Sequence, residues 1–245
     1  MKHLAALLIA LPLSAFAQDL PPGVASARLL PGWMDQDGSR VTALELNLKP
    51  GWKTYWKSPG ETGIPPVFDW ASTIQAEYLW PAPEIIDSGG ERTLGFHDAL
   101  ILPIRLQGAG DGPLTTSVDL GVCEDICVPV HLELTTGAAG QSDPLILAAL
   151  DRAPEAAEGL TCQITPAADG LAISASLPSD MIAESAAFTT DDTGIWISTA
   201  DLAQDGGTAI AKAEMLDATG KPFDLDPAQV TLTLIAPDRS IEARC

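Results

Sequence analysis

Basic residues are scarce in this 245-residue chain. Lys and Arg number 13 against 33 Asp and Glu, a formal net charge of −20. A nucleic-acid binder needs a basic footprint, and an anionic membrane surface attracts Lys and Arg, so both kinds of partner are excluded. Long apolar runs are lacking too. No segment reaches the ~18 consecutive apolar residues that suggest a transmembrane helix. Cysteine is held to four residues, and neither His97 nor His131 stands at a ligand spacing, which argues against zinc. The four methionines are scattered, so Met34 and His97 make no methionine-rich copper motif.

Turn formers are abundant instead. The chain holds 21 Gly and 20 Pro, above the combined share of about 12% usual in globular proteins. With 46% hydrophobic residues, a packed core is within reach. Many turns and short apolar stretches predict an all-β chain. Residues 41–48 alternate apolar and polar and stop at Lys49-Pro50-Gly51. Residues 100–106 are apolar but contain Pro103, which predicts an edge or bulged strand. Residues 114–120 and 128–134 flank a loop with two cysteines. Residues 171–177, 230–235 and 240–245 read as strands, the last two joined by Ala236-Pro237-Asp238-Arg239. Aromatics concentrate before residue 140. The breaker-rich stretch 137–144 reads as a linker, and residues 145–157 have helix-forming composition. The expected organisation is a first β-sandwich over residues 18–140, a linker with a short helix over 141–158, and a smaller β-sandwich over 159–245.

The amino terminus reads as an export signal. Met1-Lys2-His3 is followed by an apolar stretch and by Ala15-Phe16-Ala17, a small-x-small cleavage site. Residues 1–17 are expected to be removed before Gln18. No Cys stands directly after that point, so lipid attachment there is not expected. The mature chain is expected to be soluble, in an oxidising, exported compartment.

The four cysteines, Cys123, Cys127, Cys162 and Cys245, allow three pairings. The economical one joins Cys123 to Cys127 and Cys162 to Cys245. The second pair would staple strand to strand across a long loop, a structural role. The first closes a small loop of low structural value, and its spacing alone fits a structural clip or a redox pair. Glu124 and Asp125 lie between these sulfurs, and their charges would disfavour either thiolate.

An ordered set of unusual segments precedes the close pair. Gly51-Trp52-Lys53-Thr54-Tyr55-Trp56-Lys57-Ser58-Pro59-Gly60-Glu61-Thr62-Gly63-Ile64-Pro65-Pro66 is followed by Phe68-Asp69-Trp70 and Trp80-Pro81-Ala82-Pro83. Then come Gly95-Phe96-His97, Leu102-Pro103-Ile104 and Cys123-Glu124-Asp125-Ile126-Cys127-Val128-Pro129. Over about residues 25–135 this series resembles the amino-terminal periplasmic domain of the DsbD family of thiol:disulfide interchange proteins, in particular the ScsB branch linked to copper tolerance. The resemblance implies an immunoglobulin-like domain in the periplasm with a redox-active pair. Cys127 would form the mixed disulfide and Cys123 would resolve it. Phe96 and His97 map to a cap over the pair, with Phe96 as its cover, although His97 stands where other members often carry Tyr or an acidic residue. Tyr55 and Trp56 either wall the cysteine pocket or belong to the core. Lys53 and Lys57 are expected to be solvated.

The implied activity is of the protein-disulfide reductase type, with no organic cofactor or metal. The implied partners are periplasmic thioredoxin-fold proteins. Family members usually continue into a membrane domain and a thioredoxin-like domain, and this chain shows neither. Its electrons are therefore expected from a membrane donor on another chain, unless the sequence is a fragment. Two other readings remain at this stage: a copper-binding module with Cys123 and Cys127 as thiolate ligands, and a non-catalytic partner-binding domain.

The export signal is directly testable. Mass spectrometry of the mature protein from its native cell is expected to give Gln18 as the first residue. An intact Met1 in a cytoplasmic product would overturn the expectation.

Overall fold

The structure, a computed structural model, describes residues 20–60, 63–88, 91–192 and 194–245. The expected export signal and its cleavage point lie outside the described residues. Among the described residues, ten strands build a first β-sandwich. One sheet runs in the order β1 (Val24–Met34), β2 (Arg40–Leu48), β8 (Ala99–Gln107), β5 (Gln75–Tyr78). The other runs β10 (Cys127–Thr136), β9 (Leu114–Cys123), β3 (Lys53–Tyr55), β7 (Glu91–His97), β6 (Glu84–Ser88), and β4 (Val67–Asp69) also pairs with β9. Alternate residues face inward, as the period of two requires. Leu44 and Leu46 of β2 and Leu102 and Ile104 of β8 meet Leu120 and Val122 of β9 in one buried cluster. Fully burying each such side chain is worth about 1.5–3 kcal/mol.

Sequence alternation predicts one wet face for β2, yet Val41 and Ala43 are as buried as Leu44 and Leu46. The cause is a helix, α1 (Pro144–Leu150), laid on the outer face of this sheet. Its Ile146 and Leu150 pack with Leu30, Val41 and Ala43. Asp143 caps α1 by accepting a hydrogen bond from the Leu145 amide at 2.8 Å, and Pro144 opens the first turn. The helix is shorter than its composition suggests. It stops at Leu150, ahead of Pro154, and Glu155–Ala156 becomes strand β11, parallel to β19 (Ser240–Arg244).

Pro103 does not mark an edge strand, because β8 lies between β2 and β5. Pairing with β5 covers residues 104–107, and its last pair is Tyr78 with Ile104. The Pro103 carbonyl accepts from the Leu79 amide at 2.9 Å, so its nitrogen also faces the side where β5 has ended. The missing N–H therefore interrupts no ladder bond within that pairing.

Among the described residues, nine strands form the second sandwich. One sheet runs β11, β19, β18 (Val230–Ile235), β14 (Ser185–Thr190). The other runs β12 (Cys162–Pro166), β13 (Leu171–Ser176), β17 (Thr208–Leu216), β15 (Trp196–Ile197), with β16 (Asp201–Asp205) also on β17. Ile173, Phe188, Met215, Leu232 and Leu234 fill the space between them. A Cys162–Cys245 disulfide ties β12 in one sheet to the residue after β19 in the other, with Cα atoms 5.1 Å apart.

The two sandwiches share a junction. Ala187 and Ile235 of the second pack into the main core of the first. Lys57 Nζ lies 2.6 Å from Glu242 Oε2, which also accepts from Thr233 Oγ1 at 2.7 Å. Lys57 is therefore not a solvated lysine: it is an ion-pair partner across the junction, and its ammonium sits 4.9 Å from the Trp56 ring centroid.

The long-range disulfide gives a stability test. It closes a span of 83 residues, which the chain-entropy account values at about 4–5 kcal/mol. Replacing Cys162 and Cys245 together with Ala is expected to lower unfolding free energy in urea by up to that amount, while the Cys123–Cys127 pair still reduces and reoxidises.

Candidate functional site

The close cysteine pair sits at the end of a hairpin. β9 and β10 are in register through ten cross-strand pairs, from Thr136 opposite Leu114 to Cys127 opposite Cys123. The strands run right up to the sulfurs, further than the apolar runs of the sequence indicate. The loop left over is Glu124, Asp125 and Ile126. The two cysteines form a disulfide with a Cα–Cα distance of 4.2 Å. They are unequal: Cys123 is 1% exposed, whereas Cys127 faces solvent beside Ile126, itself 76% exposed.

Register decides what surrounds the pair. Lys53 of β3 stands opposite Cys123 on one side and His97 on the other. Thr54 stands opposite Val122 and Phe96. Because successive side chains alternate, Cys123, Lys53, Tyr55, Gly121 and His97 occupy the outer face, while Val122, Phe96, Leu94 and Trp56 point into the core. Phe96 is thus not placed as a cover over the sulfurs. It is buried in the main core and stacks on Trp80 at 6.4 Å. Trp56 is likewise a core residue, fully buried, with its indole Nε1 unpaired. His97 shares the cysteine face but lies two strands away, roughly 10 Å at sheet spacing. Its Nδ1 pairs with Glu84 Oε2 at 3.0 Å.

Tyr55 is the aromatic that reaches the sulfurs. Its hydroxyl oxygen lies 2.7 Å from Cys123 Sγ and 2.9 Å from Cys127 Sγ. Disulfide sulfurs carry no hydrogen, so the phenol is the donor. The ring is 1% exposed and fits a slot made by two glycines. A Cβ on Gly121 would stand 3.1 Å from Tyr55 Cε2, and one on Gly63 would stand 2.8 Å from Tyr55 Cδ1. Neither glycine stands out in the sequence by itself. The available signal was a Gly two residues before Cys123, inside a strand of otherwise bulky residues, which marks close approach of another group.

The charged neighbours divide. Lys53 is 6% exposed, contrary to the expectation of a solvated side chain. Its Nζ crosses the sheet to Thr93 Oγ1 of β7 at 3.4 Å rather than running out to water. Glu124 and Asp125 are exposed. The Glu124 carboxylate folds toward Gly51, where a Cβ would lie 3.2 Å from its Oε1. Gly51 has φ +85°, so glycine is favoured there on both counts. Water around both acids screens their effect on the sulfurs. Further along the same face, His131 pairs with Asp119 at 2.7 Å and Glu133 at 3.1 Å. The hydrogen bond to Asp119, then that to Glu133, raises its pKa above the usual imidazole value. Among the described residues, no group of three or more His, Cys, Asp or Glu is placed to hold a metal ion.

Residues 25–138 match the family model described as thiol:disulfide interchange protein DsbD, N-terminal. Comparison with curated proteins gives no match. Among solved structures, the chain is similar to the crystal structure of the N-terminal periplasmic domain of ScsB from Proteus mirabilis. The TM-score is 0.64 at 20% sequence identity, and 95% of each chain is covered. That coverage extends the likeness of fold through both sandwiches. The matched segment contains the whole Cys123–Cys127 hairpin and the Tyr55 slot. The first sandwich, over residues 25–138, is thus similar to the N-terminal domain of the DsbD family of thiol:disulfide interchange proteins, as the resemblance in the sequence implied.

Proposed function

We propose that this protein is an exported, periplasmic thiol–disulfide exchange protein that passes electrons between a reductant and thioredoxin-fold partners through Cys123 and Cys127. The observation that carries this reading is the unequal exposure of the two sulfurs within one disulfide. An incoming thiolate needs access to the sulfur it attacks, and Cys127 is the exposed cysteine of the two.

Recharging starts when a donor thiolate bonds to Cys127 Sγ and the Cys123–Cys127 bond breaks, leaving its electron pair on Cys123. The donor's second thiol, as thiolate, then attacks its own sulfur in the mixed disulfide and releases Cys127 as a thiolate. The donor leaves oxidised, and the pair has gained two electrons and two protons. Delivery is the reverse: the Cys127 thiolate attacks a partner disulfide, and Cys123 resolves the mixed disulfide. The donor is a membrane protein. The second sandwich is an accessory domain, joined through Lys57 and Glu242. Ile126 and the acidic loop beside Cys127 form the surface a partner meets first.

The test is capture in the native periplasm. A Cys123→Ala variant is expected to accumulate mixed disulfides through Cys127 with thioredoxin-fold proteins, and a Cys127→Ala variant is expected to accumulate few. Absence of adducts with Cys123→Ala, or equal capture by both variants, would overturn the assignment.

A further inference from the structure

Cys123 poses a problem for the exchange chemistry just described. When a donor attacks Cys127, the leaving group is the Cys123 sulfur, which departs with a full negative charge. Cys123 is 1% exposed, so water cannot solvate the charge well. Burial alone disfavours a thiolate and would slow its departure. A compensating donor is already in place. The Tyr55 hydroxyl lies 2.7 Å from Cys123 Sγ, and the Gly63–Gly121 slot fixes the ring.

We propose that Tyr55 is a catalytic residue whose phenol O–H stabilises the Cys123 thiolate as it forms and holds it for the resolving step. The proposal rests on the exchange reading of the Cys123–Cys127 pair. The bond made is donor sulfur to Cys127 Sγ, and the bond broken is Cys127 Sγ to Cys123 Sγ. The electron pair of the broken bond stays on Cys123, and the Tyr55 proton remains on its oxygen as a hydrogen bond to the new anion. A disulfide sulfur is a weak acceptor and a thiolate a strong one, so this hydrogen bond tightens as charge develops. By microscopic reversibility the same bond serves the reverse step, when Cys123 attacks the mixed disulfide. One hydroxyl has one proton. It stands close to both sulfurs in the oxidised pair, and Cys123 Sγ is the nearer of the two.

The test uses a small dithiol, so that it does not depend on any protein partner. Tyr55→Phe keeps the ring and removes the hydroxyl. At equal dithiothreitol thiolate concentration, the variant is expected to reduce about tenfold more slowly than the parent, the loss expected for one charge-assisted hydrogen bond in the transition state. In a Cys127→Ala background, where Cys123 is left with no disulfide partner, thiolate absorbance is expected to show Tyr55→Phe raising the Cys123 pKa by about one unit. Slower reduction with that pKa unchanged would assign Tyr55 a packing role and overturn the proposal, as would no change in either quantity. If Tyr55→Phe fails to fold, a second measurement decides. The chain has two tyrosines, so 3-fluorotyrosine incorporated in a Tyr78→Phe background alters Tyr55 alone. That more acidic phenol is expected to lower the Cys123 pKa and speed reduction, and the opposite direction would overturn the proposal. Failure of partner capture in the periplasm would instead count against the exchange reading and leave these thiol measurements standing.

Discussion

The pairing of Lys53 with both Cys123 and His97 is the constraint on which the site depends. β3 is three residues long, yet its register assigns every neighbouring side chain to one of two faces. A slip of one residue would exchange them. Tyr55 would turn into the core and Thr54 would face the sulfurs. That register is held from both sides, by β9 and β7, and Thr54 Oγ1 adds a hydrogen bond to the Gly121 carbonyl at 2.9 Å. The core residues on the inner face are therefore part of how the outer face is aimed. Val122 and Phe96 pack inward so that Cys123 and His97 must point outward.

Much of this was legible in the residues, and the failures are instructive. Alternation in residues 41–48, 171–177 and 230–235 predicts β2, β13 and β18 because each has a run long enough to show its period. β3, β4 and β15 are two or three residues long and leave no periodic trace; their neighbours create them. The face of Phe96 was unreadable for another reason, since its strand β7 is seven residues long. An aromatic beside a Gly and a His looks like a loop residue until the partner strand is known. Lys53 misled because a lysine is normally wet, and only the sheet shows that its stem lies along β7 toward Thr93. Tyr55 was picked out through family resemblance, but its contact with the sulfurs depends on two glycines from separate segments, one in β9 and one beyond β3.

The junction between the sandwiches carries chemistry of a different kind. Lys57 follows Tyr55 by two residues and is tied to Glu242 in β19. Glu242 is in turn held by Thr233 of β18. The ion pair is partly exposed, so its energetic value is modest. Its geometric value is greater, because it anchors the segment leaving β3 against a second, independently cored body. With Ala187 and Ile235 entering the first core, the boundary between the two sandwiches is a packed contact rather than a bare tether. The segment leaving Tyr55 is thereby tied to the second sandwich.

The position of the pair at the open end of its hairpin separates two properties that many disulfide proteins couple. The Cys123–Cys127 bond spans a separation of four residues, and nine other cross-strand pairs of β9 and β10 lie behind it. Opening it is like releasing the clasp at the top of a closed zip: the teeth below stay engaged. The Cys162–Cys245 bond is the opposite case, a seam across a whole body. Opening the Cys123–Cys127 bond is therefore expected to cost the first sandwich less folding free energy than opening Cys162–Cys245 costs the second. The first sandwich is built as a rigid casing with its clasp at the rim, so the clasp can open while the core behind it stays packed.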